Sequence, residues 1–331
     1  LMPATTVKAN ALISSATPTD VSFGTFAYLL NLPSGMQNMF RNSFMEVAQR
    51  GTSGTITAGV GTYTLDGWAV LATGANISWQ QAGSVTSGST YSVTSLGLLG
   101  ASALTGCTVY QRIESAMAAQ IAGKRVTVQF VISNQTGASI TPTIATYYPT
   151  APDNHTSVVG DLGVTSLQTI ASGATATVSY TFNTNSLATR GYGFDLNFGS
   201  QLNGAGKNVY ISAADIRFTP DAPLGLNNAP PRPEYRYSET TLCHRYYWRL
   251  GNGILIQGYG QASGLNTYQT ITFPTFMRVT PVLSTTFVSG INVQSQSAIG
   301  LWAGGFQIRI TSAASGDYAS TLSAAAATSE L

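Results

Sequence analysis

Two histidines and 13 acidic residues are the side chains through which this chain would carry out acid–base, nucleophilic or metal chemistry. His155 stands in the run Asp153-Asn154-His155-Thr156-Ser157. A serine nucleophile there would need His155 as base and a carboxylate to orient it, all three converging. Asp, Asn and Ser are also the residues that build turns, and the run reads as a loop between strands. His244 follows Cys243, and on a strand such neighbours point to opposite faces, so they cannot share one metal ion. The chain has no Cys-x-x-Cys and no His-x-x-x-His. Glycoside hydrolysis takes two carboxylates about 5 to 9.5 Å apart. Asp66, Glu114, Asp195 and Asp215 fall in or beside strand-like runs, where pairing with Arg112 or Arg217 is the plainer role. Calcium calls for about six to eight oxygens, and no acidic cluster surrounds Asp215. Gly251-x-Gly253 precedes a strand, not a helix, so it is not a dinucleotide loop. The expectation is no enzyme, no cofactor and no metal.

Sugar binding is better served by this composition. Pyranose C–H faces stack on flat π-systems, while amides and hydroxyls take the sugar hydroxyls. The chain has 16 Tyr and 4 Trp. Tyr147 and Tyr148, ahead of the polar loop from Pro149 to Gly160, are the foremost candidates. Trp79, followed by Gln80-Gln81, and Trp302, beside Gly304-Gly305, are further ones. For each ring, core or subunit-interface packing is the competing assignment. Trp68 and Tyr246-Tyr247-Trp248 are assigned to packing.

Elements must position these rings, and the pattern supplies strands. Val126, Val128, Phe130 and Ile132 alternate with Thr127, Gln129 and Val131; Ala176, Val178, Tyr180 and Phe182 alternate with threonines and a serine. Gly-rich turns bracket such runs, and the one helical candidate is Glu114 to Ile121, closed by Gly123. The fold expected is all-β: a jelly-roll β-sandwich over residues 37–218, followed by a smaller C-terminal β domain at 239–331. Residues 1–36 lack periodicity and read as an attachment segment. Residues 219–238, with Pro230-Pro231-Arg232-Pro233, read as a semi-rigid linker. In the C-terminal part Ile254-Leu255-Ile256, Ile271-x-Phe273, Met277-x-Val279 and Phe306-x-Ile308-x-Ile310 read as strands, and Leu242 to Tyr247 as the start of one.

Charged residues are only 8% of the chain, against about 25% in an ordinary globular domain. The 15 basic residues are scattered and the net charge is +2, so no stripe exists to follow a phosphate backbone; nucleic acid is not an expected partner. No run approaches the roughly 18 apolar residues of a membrane span, so no membrane insertion is expected. Leu1-Met2-Pro3-Ala4 shows no basic, apolar leader, which gives the expectation of a protein made without a signal peptide. Cys107 and Cys243 are expected to be buried free thiols.

Several runs, taken in order, resemble the tail-fibre and receptor-binding proteins of tailed bacteriophages. They are Asn38, Asn42, Phe44 and Gln49-Arg50-Gly51-Thr52-Ser53; Tyr63-x-x-Asp66-x-Trp68, with Gly67 where the family usually has arginine; Tyr110-Gln111-Arg112-Ile113-Glu114; and Gly123-Lys124-Arg125-Val126-Thr127. Glu239-x-x-Leu242-Cys243-x-Arg245-Tyr246-Tyr247 and the proline-flanked Phe273 to Pro281 continue the likeness. It implies a module similar in fold to carbohydrate-binding jelly rolls, with an opening strand near Asn38, a strand–short helix–strand passage and a distal tip. It also implies a homotrimer located in the virion, held to other tail or baseplate proteins through the N-terminal segment and to host surface polysaccharide through its rings. The alternatives are a polysaccharide depolymerase of the virion and a purely structural fibre or head-decoration protein.

Overall fold

A computed structural model describes residues 38–83, 94–220, 222–226, 239–251 and 253–331, together with the backbone of 6–9 and 19–22. The chain divides into two units, Leu1–Tyr237 with Leu331, and Ser238–Glu330. Of the expected attachment segment, β1 (Thr6–Ala9) and β2 (Thr19–Ser22) form an antiparallel pair. Its remaining residues, and 227–238 of the expected linker, lie outside the described residues.

In the first unit the strands are β3 (Ser53–Ile56), β4 (Thr62–Tyr63), β5 (Ala69–Thr73), β6 (Ile77–Gly83), β7 (Thr94–Leu99), β8 (Gly106–Ile113) and β9 (Arg125–Gln135). They continue as β10 (Thr143–Pro149), β11 (Val158–Gly160), β12 (Thr165–Ser166), β13 (Thr175–Asn183), β14 (Tyr192–Asn197), β15 (Asn208–Phe218) and β16 (Gly225–Leu226). One antiparallel sheet runs β11-β10-β14-β8-β5-β4, with β12 beside β10. The other runs β16-β13-β9-β15-β7-β6-β3. Together they make the expected jelly-roll β-sandwich. Strand β16 lies inside the stretch expected to be linker, where it pairs with β13 through Tyr180↔Leu226.

Alternation along the strands fills the space between the sheets. Phe40 sits at the centre, its ring 5.2 Å from Trp68, 5.8 Å from Phe130 and 5.2 Å edge-on from Phe194. Burying each such ring contributes about 1.5–3 kcal/mol. Strand β9 is buried on both faces, its polar residues included, although its sequence alternates. Cross-strand hydrogen bonds make that possible: Thr127 Oγ1 meets Thr181 Oγ1 at 2.7 Å, and Gln129 Nε2 donates to Asp215 at 2.9 Å. Polar side chains that satisfy one another can be buried without an orphaned donor.

The stretch near Asn38 is bends and turns and not an opening strand. It threads along β15, where a bulge between Ile211 and Ala213 lets Ala214 N reach Ser43 O at 2.9 Å. Asn42 holds the turn with φ +50. Its amide donates to the Val47 and Asp66 carbonyls (2.8 and 3.0 Å), its Oδ1 accepts from Val47 N, and its own carbonyl accepts from Trp68 Nε1 at 3.0 Å. Asp66 takes the Gln49 backbone N–H and side-chain amide at 2.7 and 2.8 Å. The residues of the family-like motif thus form one structural knot. After β8 a short helix, α1 (Ser115–Ala118), continues in turns to Gly123 at φ +68, where a left-handed backbone suits glycine.

In the second unit, α2 (Glu239–His244) occupies the stretch read as the start of a strand, so Cys243 and His244 are helical. The strands are β17 (Tyr247–Arg249), β18 (Ile254–Gly260), β19 (Asn266–Thr272), β20 (Val282–Ile291), β21 (Val293–Trp302), β22 (Gly305–Ser312) and β23 (Gly316–Thr328). β17, β18 and β20 all pair with β23, while β19, β22 and β21 form a three-stranded sheet. Trp248, Phe273, Phe306 and Ile308 anchor its core. Met277 and Val279, expected on a strand, lie in the loop between Pro274 and Pro281, where prolines remove ladder donors; Met277 N donates to Ala303 O at 2.8 Å. Both cysteines are buried.

Candidate glycan-binding face

Strand register assembles the site on the outer face of the sheet that contains β8, β10 and β14. Side chains alternate across these strands, so Ile144, Thr146 and Tyr148 of β10 are buried while Ala145 and Tyr147 are half-buried on the other face. On β8 the outward set is Thr108, Tyr110 and Arg112; on β14 it is Asp195 and Asn197. Pairing sets Tyr147 opposite Gly193 and Gly193 opposite Arg112. The next row holds Ala145, Asp195, Tyr110, Ala69 and Tyr63.

Gly193 is what lets Tyr147 lie flat. A Cβ at residue 193 would stand 2.1 Å from Tyr147 Cε2 and 2.2 Å from Cζ, so the ring covers the glycine. Gly61 gives the same room to Tyr110, whose hydroxyl would lie 2.2 Å from a Cβ there. The Arg112 guanidinium stands over the Tyr110 ring at 5.4 Å, and Arg50 stands over Tyr63 at 4.9 Å. Arg112 Nη1 donates to the main-chain oxygen of Leu331 (2.6 Å), which groups with this unit, and the Tyr63 hydroxyl donates to the same oxygen (3.0 Å). Among the described residues no Asp or Glu side chain forms an ion pair with Arg112, and its Nε has no acceptor.

Burial shapes the electrostatics. It pushes the Asp195 carboxyl up to about 6, with Arg112 pulling the other way. Burial also drives the Tyr147 hydroxyl up to about 12, aided by Asp195 and opposed by Arg112. Tyr110 is raised by burial too. The tyrosines are therefore neutral donors and flat apolar surfaces at physiological pH, flanking one guanidinium and one carboxyl poised near neutrality. Such a face can stack sugar rings and exchange hydrogen bonds with their hydroxyls.

The proposed ligand residues separate sharply. Tyr147 lies on this face, but Tyr148 is turned into the core at 8% exposure, because strand neighbours face opposite ways. Trp79 is likewise a core residue at 4% exposure, its indole laid against Gly54. Neither presents a face to a sugar. Trp302, in the second unit, keeps 38% of its surface and lies over Gly304 beside the exposed Phe276. That unit also carries an open groove of about 460 Å³ lined by Gln257, Gly258, Ile291, Asp317, Tyr318 and Ala319.

Tyr110, Arg112 and Asp195 were not singled out as ligand residues from sequence. The period-two alternation Thr108-x-Tyr110-x-Arg112 marks them as sharing one face, but only the pairing with β14 and β10 brings them to Tyr147. His155 is buried and meets the Tyr147 ring edge-on at 6.2 Å. Asp153 accepts from the Ser115 N–H at 2.7 Å and from its hydroxyl at 3.3 Å. Asp215 pairs with Arg217. Among the described residues no three His, Cys, Asp or Glu side chains gather to hold a metal, and no helix is long and apolar enough to cross a membrane.

No protein-family model matches the chain, and no curated protein matches it. Solved structures give partial overlaps. The enzymatically active domain of bacteriophage CBA120 tailspike protein 4 is 12% identical over 46% of this chain and 19% of its own, with a TM-score of 0.34. The CBM22-1–GH10 modules of a Clostridium thermocellum endo-1,4-β-D-xylanase are 8% identical over 58% of this chain and 30% of their own, at 0.35. The C-terminal family 22 carbohydrate-binding module of the xylanase Xyn10B from the same organism is 16% identical over 56% of this chain and 97% of its own, at 0.34. This chain spans less than a third of the first two, and overlap this partial leaves its chemistry to its own residues.

Proposed function

We propose that the first unit is a glycan-binding module, and that the chain is a receptor-binding subunit of a tailed phage or phage-derived particle, a tail fibre or spike that attaches to host surface polysaccharide. The observation that carries the glycan reading is Tyr147 laid flat across Gly193, beside Arg112 and Tyr110, on an outer sheet face. The virion role rests on the ordered motif likeness from Asn38 to Tyr247. Adhesion follows from many weak contacts multiplied by several copies. Exposed apolar side chains in the second unit, Phe276, Val282 and Ile291 at 71, 74 and 75%, suit packing between copies in a homotrimer.

Binding to a panel of immobilised bacterial polysaccharides, with the Tyr147→Ala variant as control, tests the module. Retention on at least one glycan, weakened in the variant, is expected. Indifference of binding to Tyr147 removes the platform. Assay of the bound polysaccharide for new reducing ends separates adhesion from depolymerisation, and none are expected. The mass of the intact assembly reports the trimer, and adsorption of particles carrying the variant reports attachment.

A further inference from the structure

The outer face of the other sheet repeats, around a different tyrosine, the arrangement that sets Tyr147 over Gly193. Val209 and Ile211 of β15 point into the core, so Tyr210 between them points out, where register sets it opposite Gly97 of β7. A Cβ at residue 97 would stand 2.9 Å from Tyr210 Cε1 and 3.2 Å from Gln80 Cγ, so the ring and the amide stem converge over one glycine. Gln80 comes from β6, the strand on the far side of β7. Its neighbour Trp79 is turned into the core, and alternation sends Gln80 outward. Asn208 adds a second amide on the same face, two residues from Tyr210 and about 7 Å along the strand.

Two features of this patch point to a ligand. Tyr210, Gln80 and Asn208 are half-buried, yet among the described residues their side-chain polar atoms form no hydrogen bond within the protein and none is sealed from solvent. Amides that serve the sandwich itself are engaged: Asn134 donates to Ile170 O at 3.0 Å and Gln168 to Ser179 O at 3.0 Å. Charge is also missing, because β3, β6 and β7 contain no charged residue. On β15, Asp215 and Arg217 lie beyond the bulge and pair with each other. A ring bordered by open amides, with no ion to balance a ligand's charge, suits neutral rings rich in hydroxyls. Covering a strand glycine with a ring also repairs the sheet there. That role uses the ring alone and does not account for the open amides of Gln80 and Asn208.

We infer that this face is a second carbohydrate site, selective for neutral polysaccharide: Tyr210 stacks a sugar ring, and the Gln80 and Asn208 amides take its hydroxyls. It lies on the opposite sheet from Tyr147 and stands independently of that face. With both faces occupied, the module bridges two polymer chains.

The test is calorimetric titration of the full chain with dextran, galactomannan and mixed-linkage β-glucan, in a Tyr147→Ala background that silences the first face. At least one polymer is expected to bind, with an affinity unmoved between about 0.05 and 0.5 M salt because no charge takes part. Adding Tyr210→Ala should weaken binding about five-fold or more, the size of a lost stacking contact. Adding Gln80→Ala should weaken it about 2- to 10-fold, the size of one hydrogen bond. Tyr210→Phe keeps the glycine covered and should lose only the hydroxyl's share; with Gln80→Ala it decides the matter if Tyr210→Ala melts below the assay temperature. A purely structural ring gives lower melting in Tyr210→Ala and full affinity in Gln80→Ala and Tyr210→Phe, and that outcome overturns the site. So does a failure of all three polymers to bind the Tyr147→Ala chain. Binding that falls with Tyr147→Ala but ignores Tyr210 and Gln80 leaves only the first face, and the opposite pattern leaves only the second.

Discussion

Tyr147 and Gly193 face one another across β10 and β14, and the tyrosine ring occupies the space that any side chain at position 193 would need. The proposed ligand face therefore depends on a residue with no chemistry of its own. Gly193→Ala places a methyl within 2.1 Å of Cε2, forcing the ring off the sheet. Glycan affinity should fall as far as in Tyr147→Ala, with a stability loss of about 1–3 kcal/mol from overpacking. Titration and denaturant melts on both variants check this; full affinity in Gly193→Ala would show that the flat ring is not the binding surface.

The adjacent tyrosines should part company on mutation. Tyr147→Ala removes a half-buried ring outside the core and should lower affinity about 3- to 10-fold with little change in melting. Tyr148→Ala opens a cavity in the sandwich and should destabilise it by about 3 kcal/mol, leaving residual affinity in the folded fraction. Paired urea melts and binding isotherms separate the two, and equal destabilisation would refute the assignment of opposite faces.

Asp195 makes stability depend on pH in an unusual direction for a carboxylate. Its folded pKa of about 6 lies above the ordinary value of 3.8, raised by burial, with Arg112 of β8 pulling the other way. Below 3.8 the group is protonated in both states and has no effect on the balance. Between 3.8 and about 6 the folded state holds the proton more tightly, so the contribution to stability falls as pH rises. Above about 6 the full penalty of burying the ion, on the order of 3 kcal/mol, is present. Asp195→Asn should abolish this segment of the pH–stability curve and stabilise the protein at pH 7. A curve identical to that of the unmutated chain would place the carboxyl in solvent.

The Asn42 knot should be brittle. Asn42→Ala removes three side-chain hydrogen bonds and leaves a Cβ residue at φ +50. The expected loss is about 2–4 kcal/mol. Asn42→Gly relieves the backbone but not the hydrogen bonds and should lose less. Thermal melts of the two rank the contributions; a neutral Asn42→Ala would contradict the structural role given to the motif.

Cys107 reports folding. Burial pushes its thiol up to about 12, so it should react with an aromatic disulfide reagent only as the sandwich opens. Reaction of both cysteines in the native protein at neutral pH would contradict their burial.

Much of this architecture was legible in the chain. Period-two alternation in β9 and β13, Gly-rich turns and sparse charge lead to an all-β sandwich, because side chains on a strand must alternate between faces. The motif residues Asn42, Asp66 and Trp68 could be noticed as a set, but not their joint hydrogen bonding, which needs a left-handed turn that no local pattern announces. Leu242 to Tyr247 misled for a similar reason: apolar and aromatic residues suit either a short helix or a strand, and α2 is set by packing.

The candidate face shows the division most clearly. Composition gave the expectation that rings and neutral polar groups are this chain's resource, and it put Tyr147 and Tyr148 forward together; the strand β10 parts them to opposite faces. Which of the two faces outward, and that Arg112, Tyr147, Gly193 and Asp195 meet at all, was decided by the order β10-β14-β8. Strand order is a contest among long-range pairings and shared core volume, settled between residues dozens of positions apart, and so it leaves no trace in any local run of the chain.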